Sequence, residues 1–401
     1  MSATTDLQDR WDAVMMPNYG TPALVVDRGD GVVVRDVDGR EYLDFVGGIA
    51  VSSLGHAHPA VVAAVSAQVA RVAHTSNLAV HAPGVTLAER LLELAGTPGG
   101  RVFFGNSGAE AVECALKLVR RWGNPRGRHG VVSTTNSFHG RTLGALSVTG
   151  NAAKREPFGP LPGPVDFVPY GDVEALRAAV GTGTAAVVLE PLQGEGGLVE
   201  PPVGYLAAAR AVCDEAGALL VVDEVQSGIG RTGHWFASLA EGVRPDVMTL
   251  AKGLGGGLPI GATLAWGEAA TAFRPGDHGS TFGGNPVSCA AALAVLDTIA
   301  DGHLLDHVKR VGEHLGDGLA AIDSPLVAGT RGVGLWRALV LTGDHAAAVE
   351  TVARDNGLLV NTVKPSVLRL APPLVVSDDE VDRAVTALRA AVDTVATQVQ
   401  P

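Results

Sequence analysis

The sequence has few cysteines, few lysines and no long apolar run. Its three cysteines, Cys114, Cys213 and Cys289, lie far apart and form no Cys-x-x-Cys pair. This usage is typical of a reducing compartment and excludes a zinc-ribbon layout, so we predict a cytoplasmic protein that holds no metal. Apolar runs such as residues 185–189 have only strand length, far below the ~20 residues of a spanning helix. The N-terminus shows no apolar leader, and we predict no membrane segment.

Positive charge is scarce as well. The chain carries 30 basic and 42 acidic residues, a formal net charge of −12. Because nucleic acids and anionic membranes are bound by basic faces, this balance argues against both partners and favours a small molecule. An apolar content of 46% excludes general disorder, and the 52 glycines follow no Gly-X-Y period, which excludes a fibrous protein. A length of 401 residues predicts two domains, or one large domain with a smaller one.

Strand and helix patterns alternate along the chain. In residues 31–45, two β-rich runs flank Asp38-Gly39, which predicts an antiparallel hairpin. Short apolar runs then alternate with helical periods, at residues 101–104, 107–122, 131–135, 185–189, 205–216, 219–222 and 247–250. This alternation predicts βαβ units and a mostly parallel, buried sheet. After residue 286 a long helix precedes a helix, strand, helix, strand, helix series, which predicts a smaller α+β domain completed by the N-terminal hairpin.

Only five lysines occur, so an essential amine has few candidates. Lys252 ends the apolar run Val-Met-Thr-Leu-Ala and precedes Gly-Leu-Gly-Gly-Gly, which places it at the carboxyl edge of a sheet, where α/β proteins bind ligands. Lys117 and Lys309 fall in helical patterns, and Lys154 falls in a polar loop. Taken alone, a lysine at such an edge is more often a solvated charge than a functional group.

An acid stands at a similar place. Asp223 follows Leu-Leu-Val-Val, at the carboxyl end of another buried strand. Burying a carboxylate is costly unless a cation pairs with it, and a protonated pyridine nitrogen is one such cation. An N-cap or a structural salt bridge is the alternative.

Two further segments suit a flat, phosphorylated ligand. Residues 105–110, Gly-Asn-Ser-Gly-Ala-Glu, join a strand to a helix, whose free N–H groups and dipole favour a phosphate. Ser107 and Glu110 also match a capping box, and the segment matches neither the P-loop nor the full dinucleotide fingerprint. Phe138 could stack on a ring and Arg141 could pair with a carboxylate, a core Phe and a surface Arg being the alternatives.

Together these segments supply an amine, a buried acid, a phosphate-binding turn and an aromatic ring, all at sheet edges. Pyridoxal 5′-phosphate needs this set, because an amine captures its aldehyde, an acid keeps its ring nitrogen protonated and a turn anchors its phosphate. We therefore predict pyridoxal 5′-phosphate as the cofactor.

With this set of segments, the chain resembles the class III, ornithine-type aminotransferases of pyridoxal-phosphate fold type I. The resemblance runs from about residue 19 to residue 393, and the motifs that carry it stand in the family's order at residues 18–22, 47–51, 54–59, 106–110, 138–142 (Phe-His-Gly-Arg-Thr), 190–197, 223–226 (Asp-Glu-Val-Gln), 250–253 (Leu-Ala-Lys-Gly), 279–286 and 369–373. It implies an α/β fold with a large, mostly parallel sheet domain, helices on both faces, and a smaller α+β domain. The expected bounds are 52–287 for the large domain, and 1–51 with 288–401 for the small one.

The resemblance also implies roles at the cofactor. Lys252 would form the Schiff base and shuttle the proton, and Asp223 would pair with the pyridinium nitrogen. Phe138 and Val225 would stack on the two faces of the cofactor ring, and Gln226 would contact its phenolic oxygen. The implied assembly is a homodimer with shared active sites. The phosphate would be bound by Ser107, Gly108 and Ala109 of one subunit and by Thr281 of the other.

Substrate contacts are implied in the same way. Arg369 would take the α-carboxylate of glutamate, and Glu195 would cover this arginine when an ω-amine substrate binds. Arg141 and Tyr19 would receive the distal carboxylate of glutamate and the α-carboxylate of the ω-amino donor. One pocket could then accept two substrates whose carboxylates lie at different distances from the reacting amine.

Within the family, the resemblance is strongest to bacterial members that act on N-acetylornithine. It implies transfer of the terminal amine to 2-oxoglutarate, which gives N-acetylglutamate semialdehyde and glutamate, a step of arginine biosynthesis. The nearest alternatives are other ω-amino donors, namely ornithine, succinylornithine, succinyl-diaminopimelate and 4-aminobutyrate. A racemase or aminomutase on the same fold, and a Gly-rich nucleotide-binding or regulatory protein, are the more distant ones.

Two positions depart from the family pattern. Val112 stands where many relatives have Asn, which changes a local hydrogen bond. Ala79 stands where many carry an aromatic residue, which predicts a wider mouth of the substrate pocket.

Overall fold

The computed structural model describes residues 2–399. Its helices are α1 (Ala3–Val14), α2 (Gly47–Ala50), α3 (Pro59–Val69), α4 (Ala82–Leu94), α5 (Gly108–Gly123), α6 (Leu143–Ser147), α7 (Ala152–Arg155), α8 (Val173–Ala179), α9 (Tyr205–Ala216), α10 (Ala237–Ala240), α11 (Pro286–Asp301), α12 (Leu304–Ala320), α13 (Ala346–Asp355) and α14 (Asp378–Val399). Its strands are β1 (Val26–Asp30), β2 (Val33–Asp36), β3 (Glu41–Asp44), β4 (Arg101–Gly105), β5 (Gly130–Thr134), β6 (Val165–Val168), β7 (Thr184–Leu189), β8 (Leu219–Asp223), β9 (Val247–Leu250), β10 (Gly261–Ala265), β11 (Val327–Val333), β12 (Trp336–Leu341), β13 (Leu358–Leu359), β14 (Asn361–Lys364) and β15 (Val367–Leu370).

The largest sheet has seven strands in the order β4-β10-β9-β8-β7-β5-β6. The neighbours from β9 to β6 pair in parallel, and only β10 runs antiparallel to both strands beside it. Every residue of β7 and β8 is buried, as expected of parallel strands covered on both faces. The predicted α/β fold with a mostly parallel sheet is confirmed.

Helices cover both faces of this sheet. Along β7, Ala186 and Val188 pack with α5, whereas Val187 and Leu189 pack with α8 and α9, because successive side chains of a strand point to opposite faces. Val112 of α5 is 2% exposed within the first of these layers. An apolar side chain at this position therefore contributes to the core.

Two four-stranded sheets accompany the large one. In the first, β2 and β3 form the predicted hairpin around Asp38-Gly39, and β3 pairs in parallel with β13 from the far end of the chain. The second has the order β11-β12-β15-β14. The assignment of residues 52–287 and of the flanking segments to two domains stays a prediction.

The strand count after residue 286 corrects the sequence prediction. The pattern predicted two strands there, and the structure has five, β11 to β15. The burial of β11 does not alternate, since Gly329 and Gly332 interrupt it, and β13 has two residues. Hydrophobic periodicity does not mark strands of this kind.

The carboxyl ends of five parallel strands meet at one edge of the large sheet. Beyond that edge lie Ser107 after β4, Phe138 after β5, Glu190 after β7 and Lys252 after β9, and Asp223 is the last residue of β8. Such an edge is the usual ligand site of open α/β sheets. Of these five residues, all but Glu190 were singled out in the sequence, and the sheet edge brings them together.

Within residues 2–399, no single helix is long and apolar enough to cross a membrane. The bent pair α11 and α12 meets the length and composition test only when the two are taken together, with an angle of 72° between them.

Candidate active site

A cavity of about 370 Å³ opens at this sheet edge. Its volume lies within the range of about 300–1,000 Å³ that is usual for sites of small ligands and cofactors. Of the thirteen residues predicted from the sequence, nine line it: Ser107, Gly108, Ala109, Phe138, Arg141, Asp223, Val225, Gln226 and Lys252.

Lys252 has a strained backbone at the cavity wall. It begins a short 3₁₀ turn, and its φ of 43° is left-handed, which costs a non-glycine residue about 1–3 kcal/mol and is tolerated mainly at functional sites. Burial and the positive charge of Arg369 lower the pKa of Lys252 to about 8, while nearby carboxylates oppose the shift. A usable fraction of the amine is therefore uncharged and nucleophilic near neutral pH.

The turn before α5 combines a cap with free donors. The Ser107 hydroxyl oxygen accepts the N–H of Glu110 at 3.2 Å, and Glu110 in turn accepts the N–H of Asn106 at 2.8 Å. Among residues 2–399, the N–H groups of Gly108 and Ala109 have no acceptor. Both residues line the cavity at the positive end of a 16-residue helix. The cap and the phosphate site are therefore compatible, because they use different groups.

Asp223 is held firmly at the cavity wall. Its side chain is 5% exposed, and Oδ2 lies 2.7 Å from Nδ1 of His139. Oδ1 accepts the N–H of Val225 and the hydroxyl of Thr249, each at 3.0 Å. Burial acts to lower the pKa of His139, but the hydrogen bond and charge of Asp223 outweigh burial and raise it. These three contacts fix the orientation of the Asp223 carboxyl group at the cavity wall.

A second buried acid lies beside this pair. Glu190 is 5% exposed, and its Oε2 accepts the N–H of Phe138 at 3.2 Å. Burial raises the pKa of Glu190 to about 7, the charge of His139 opposes this shift, and the charge of Asp223 adds to it. Glu190 therefore carries a proton for part of the time near neutral pH.

The Phe138 ring has two cations near its face. The guanidinium carbon of Arg141 lies 5.7 Å from the ring centroid, and Nζ of Lys154 lies 5.0 Å from it. Both distances suit a cation–π contact. Burial lowers the pKa of Lys154; the charge of Glu195 opposes this shift and that of Arg141 adds to it. The two side chains give this part of the site a positive charge that suits a carboxylate.

Arg369 and Glu195 form a pair that reaches Lys252. The Arg369 side chain is 2% exposed and donates to Glu195 at 2.7 Å and to the side-chain oxygen of Asn361 at 2.6 Å. With the Gln226 amide turned to satisfy its hydrogen bonds, its oxygen accepts from both Arg369 and Lys252 at 3.2 Å. Burial would raise the pKa of Glu195, but Arg369 holds it below its ordinary value, so the pair is ionised at neutral pH.

Four predicted residues do not line this cavity: Arg369, with its partner Glu195, reaches it through Gln226, whereas Tyr19 and Thr281 lie away from it. Tyr19 is 74% exposed, and Thr281 is also exposed; neither lines the cavity. The loop of Thr281 does reach the phosphate turn, where Asn106 donates to the Ser280 hydroxyl at 3.2 Å. Ala79 is exposed and does not line the cavity either, so the wider mouth stays a prediction.

Several residues that shape the site were not predicted from the sequence to have a role there: Lys154, His139, Glu190, Thr249 and Asn361. His139 and Glu190 stand inside motifs already recognised, and the rarity of lysine was a signal for Lys154. Asn361 had no local signal, because it lies opposite Arg369 only through the pairing of β14 with β15.

Comparisons with known proteins agree with this geometry. The family model for class III aminotransferases matches residues 14–392. The acetylornithine aminotransferase of Streptomyces coelicolor is 58% identical, with 97% of this chain and 96% of that protein covered.

Two solved structures are also similar. The ornithine aminotransferase of Toxoplasma gondii, crystallised with partial occupancy of PLP at its active site, is 33% identical with a TM-score of 0.94, covering 99% of this chain and 95% of that one. The acetylornithine aminotransferase of Elizabethkingia anophelis is 30% identical with a TM-score of 0.86, covering 98% and 100%. The family predicted from the sequence is confirmed, and the chain belongs to the class III aminotransferases.

Proposed function

We propose that this aminotransferase uses pyridoxal 5′-phosphate to move the terminal amine of N-acetylornithine to 2-oxoglutarate. The Glu195–Arg369 ion pair, 2.7 Å long and joined to Lys252 through Gln226, is the observation that carries the proposal. It supplies a carboxylate site that is closed for one substrate and can open for the other. The similarity to acetylornithine aminotransferases supports the choice of donor.

The donor groups of the cavity fit pyridoxal phosphate. The free N–H groups of Gly108 and Ala109, with the Ser107 hydroxyl, suit its phosphate, and Phe138 and Val225 suit the two faces of its ring. A Cβ at Gly108 would lie 2.8 Å from Cγ1 of Val225, so this glycine lets the backbone approach the ring site. When bound, the cofactor supplies an aldehyde that takes up amino groups and a ring that withdraws electrons.

Asp223 and Lys252 divide the proton chemistry between them. Asp223, fixed by His139 and Thr249, would pair with the ring nitrogen and favour its protonated form. Lys252, with a pKa lowered to about 8, would hold the cofactor through its amine, and the same amine could accept a proton from the substrate carbon that bears nitrogen. The Gln226 amide would hold the side of the ring that carries the phenolic oxygen.

The substrate residues separate the two half-reactions. While Glu195 covers Arg369, Arg141 would bind the α-carboxylate of an ω-amino donor, and the terminal amine of that donor would meet the cofactor. When glutamate or 2-oxoglutarate enters, Arg369 binds the α-carboxylate and Arg141 the distal one. Lys154, beside Arg141 on the Phe138 ring, adds positive charge at the distal position.

A homodimer with shared active sites is part of the proposal. Three apolar side chains near the phosphate turn are exposed, Leu78 at 96%, Val80 at 89% and Phe282 at 59%. The loops that bear them are tied together, since Asn77 donates to the Gly283 carbonyl at 3.2 Å. A second copy that covers this patch would receive Thr281 at its phosphate. We also retain the expectations of a cytoplasmic location and a place in arginine biosynthesis.

The test is a glutamate-forming assay with 2-oxoglutarate and one donor at a time. N-Acetylornithine, ornithine and 4-aminobutyrate are compared by kcat/KM, with Lys252→Ala as the inactive control. We expect N-acetylornithine to be preferred at least tenfold. Preference for another donor would contradict the substrate, and turnover without consumption of 2-oxoglutarate would contradict amino transfer. Retained activity, or fixation of the cofactor by borohydride, in Lys252→Ala would contradict the role of Lys252.

A further inference from the structure

A buried arginine without a carboxylate lies between the large sheet and the strands that carry Arg369. Arg231, in the loop between β8 and α10, is 3% exposed. No acidic side chain of residues 2–399 forms an ion pair with it, and burial lowers the pKa of Arg231 to about 9. A buried charge of this kind is costly and is retained only where its hydrogen bonds matter.

The hydrogen bonds of Arg231 go to two separate segments. One terminal nitrogen, NH1, donates to the Leu335 carbonyl at 2.9 Å and to the Pro372 carbonyl at 2.6 Å. Leu335 directly precedes β12, and Pro372 follows β15 at three residues from Arg369. Because β12 and β15 are paired with each other, both acceptors lie at the same end of the strand pair that holds Arg369.

The same loop touches this strand pair through its backbone. Gly334 has a φ of +58°, and a Cβ there would lie 2.7 Å from the Arg231 carbonyl oxygen. The other end of the loop continues into Gln226 and Asp223, which line the cavity. The loop is thus a direct structural link between the cofactor side and the carboxylate side of the site.

We propose that Arg231 is a positioning residue that sets the distance of Arg369 from Lys252. It lines no part of the cavity and contacts neither Arg369 nor Lys252. It acts by fixing two chain segments at one end of the β12–β15 pair, the residue before β12 and the segment that follows the strand of Arg369. The inference rests on one part of the proposed function, namely that Arg369 binds glutamate and 2-oxoglutarate but not the ω-amino donor.

Arg231→Lys keeps the charge but has a shorter side chain, whose amine ends one bond short of the terminal nitrogen that donates to both carbonyls. Arg337→Lys is the matched control, because Arg337 also donates to two carbonyls, those of Gly332 and Gly334, but entirely within its own hairpin. The holoenzymes are compared by KM and kcat for 2-oxoglutarate and for N-acetylornithine.

In Arg231→Lys we expect KM for 2-oxoglutarate to rise about tenfold, the effect of a lost hydrogen bond to a charged group, and KM for N-acetylornithine to change less than about twofold. Arg337→Lys should leave the ratio of the two KM values unchanged. Equal changes for both substrates in Arg231→Lys would show a merely structural role, and unchanged constants would show no role. Either result would overturn the inference.

A second variant and a second assay keep the inference testable if the first variant does not fold or if the donor is a different one. If Arg231→Lys does not fold, Gly334→Ala can be used instead, because it displaces the contact between Gly334 and the Arg231 carbonyl from the other side. This variant should raise the KM for 2-oxoglutarate selectively. An equal change for both substrates would again overturn the inference. The half-reaction with glutamate alone, followed by cofactor absorbance, needs no N-acetylornithine, because glutamate itself donates the amine. It tests Arg231 even if N-acetylornithine proves not to be the substrate. Failure of the proposed function can therefore be distinguished from failure of the inference about Arg231.

Discussion

Replacing Glu195 with Gln should separate the two half-reactions. The amide keeps the shape and an acceptor at the 2.7 Å contact with Arg369, but it removes the charge that pairs with a guanidinium only 2% exposed. Hydrogen bonds to charged groups contribute about 1.5–3 kcal/mol, and because Glu195 is 27% exposed we take the lower end. Arg369 should then accept a substrate carboxylate about tenfold more readily when an ω-amino donor is present.

An N-acetylornithine molecule captured in this way presents its α-carbon, whose nitrogen is acylated and cannot react. Its half-reaction should therefore slow about tenfold, whereas glutamate, which needs Arg369 uncovered, should react as fast as before or faster. The assay is single-turnover loss of the cofactor's visible absorbance with each substrate. Glu200→Gln is the control, since Glu200 accepts the N–H of Gly332 on the exposed side of the same segment. Equal losses for both substrates in Glu195→Gln would refute the switch.

Three further outcomes follow from the cofactor side. Asp223→Asn should retain cofactor but lose about 10²–10³-fold in kcat, since an amide cannot hold the ring nitrogen charged; near wild-type turnover would contradict this role. Because the pKa of Lys252 is lowered to about 8, its neutral amine forms as pH rises through 8, so the rate at which apoenzyme regains cofactor should rise from pH 7 to 9 and then level off. A rate still climbing at pH 10 would indicate an ordinary lysine. Gly108→Ala, whose Cβ would lie 2.8 Å from Val225, should weaken cofactor binding about tenfold in a titration of apoenzyme, whereas Gly181→Ala, with nothing within 4 Å, should leave it unchanged.

Much of the large sheet and the cofactor site could be predicted from the sequence. Buried parallel strands are continuous apolar runs, and the residue after each run falls at the ligand edge, so local pattern places Asp223 and Lys252 at that edge. Their function follows only when the other segments of the site are considered with them. The glycines beside Ser107 carry similar local information, because they mark where the backbone must approach a ligand.

The rest depends on contacts between segments that are distant in the chain. Asn361 reaches Arg369 through the register of β14 with β15, and Lys154 reaches the Phe138 ring from a short helix after a polar turn. The strands β11 and β13 escape prediction because one contains glycines and the other has two residues. No period in the sequence marks such pairings, since tertiary packing determines them.

The amine of Lys252 and the guanidinium of Arg369 belong to different sheets. The length of dicarboxylate that spans them therefore depends on how the two sheets pack, and not only on the side chains that touch the substrate. Substitutions at the packing surface, among them Trp336 and Leu198 in one buried cluster, should change the preferred chain length of the acceptor while the residues that line the cavity stay the same. A family with one set of catalytic residues can in this way acquire new acceptors through changes in its core.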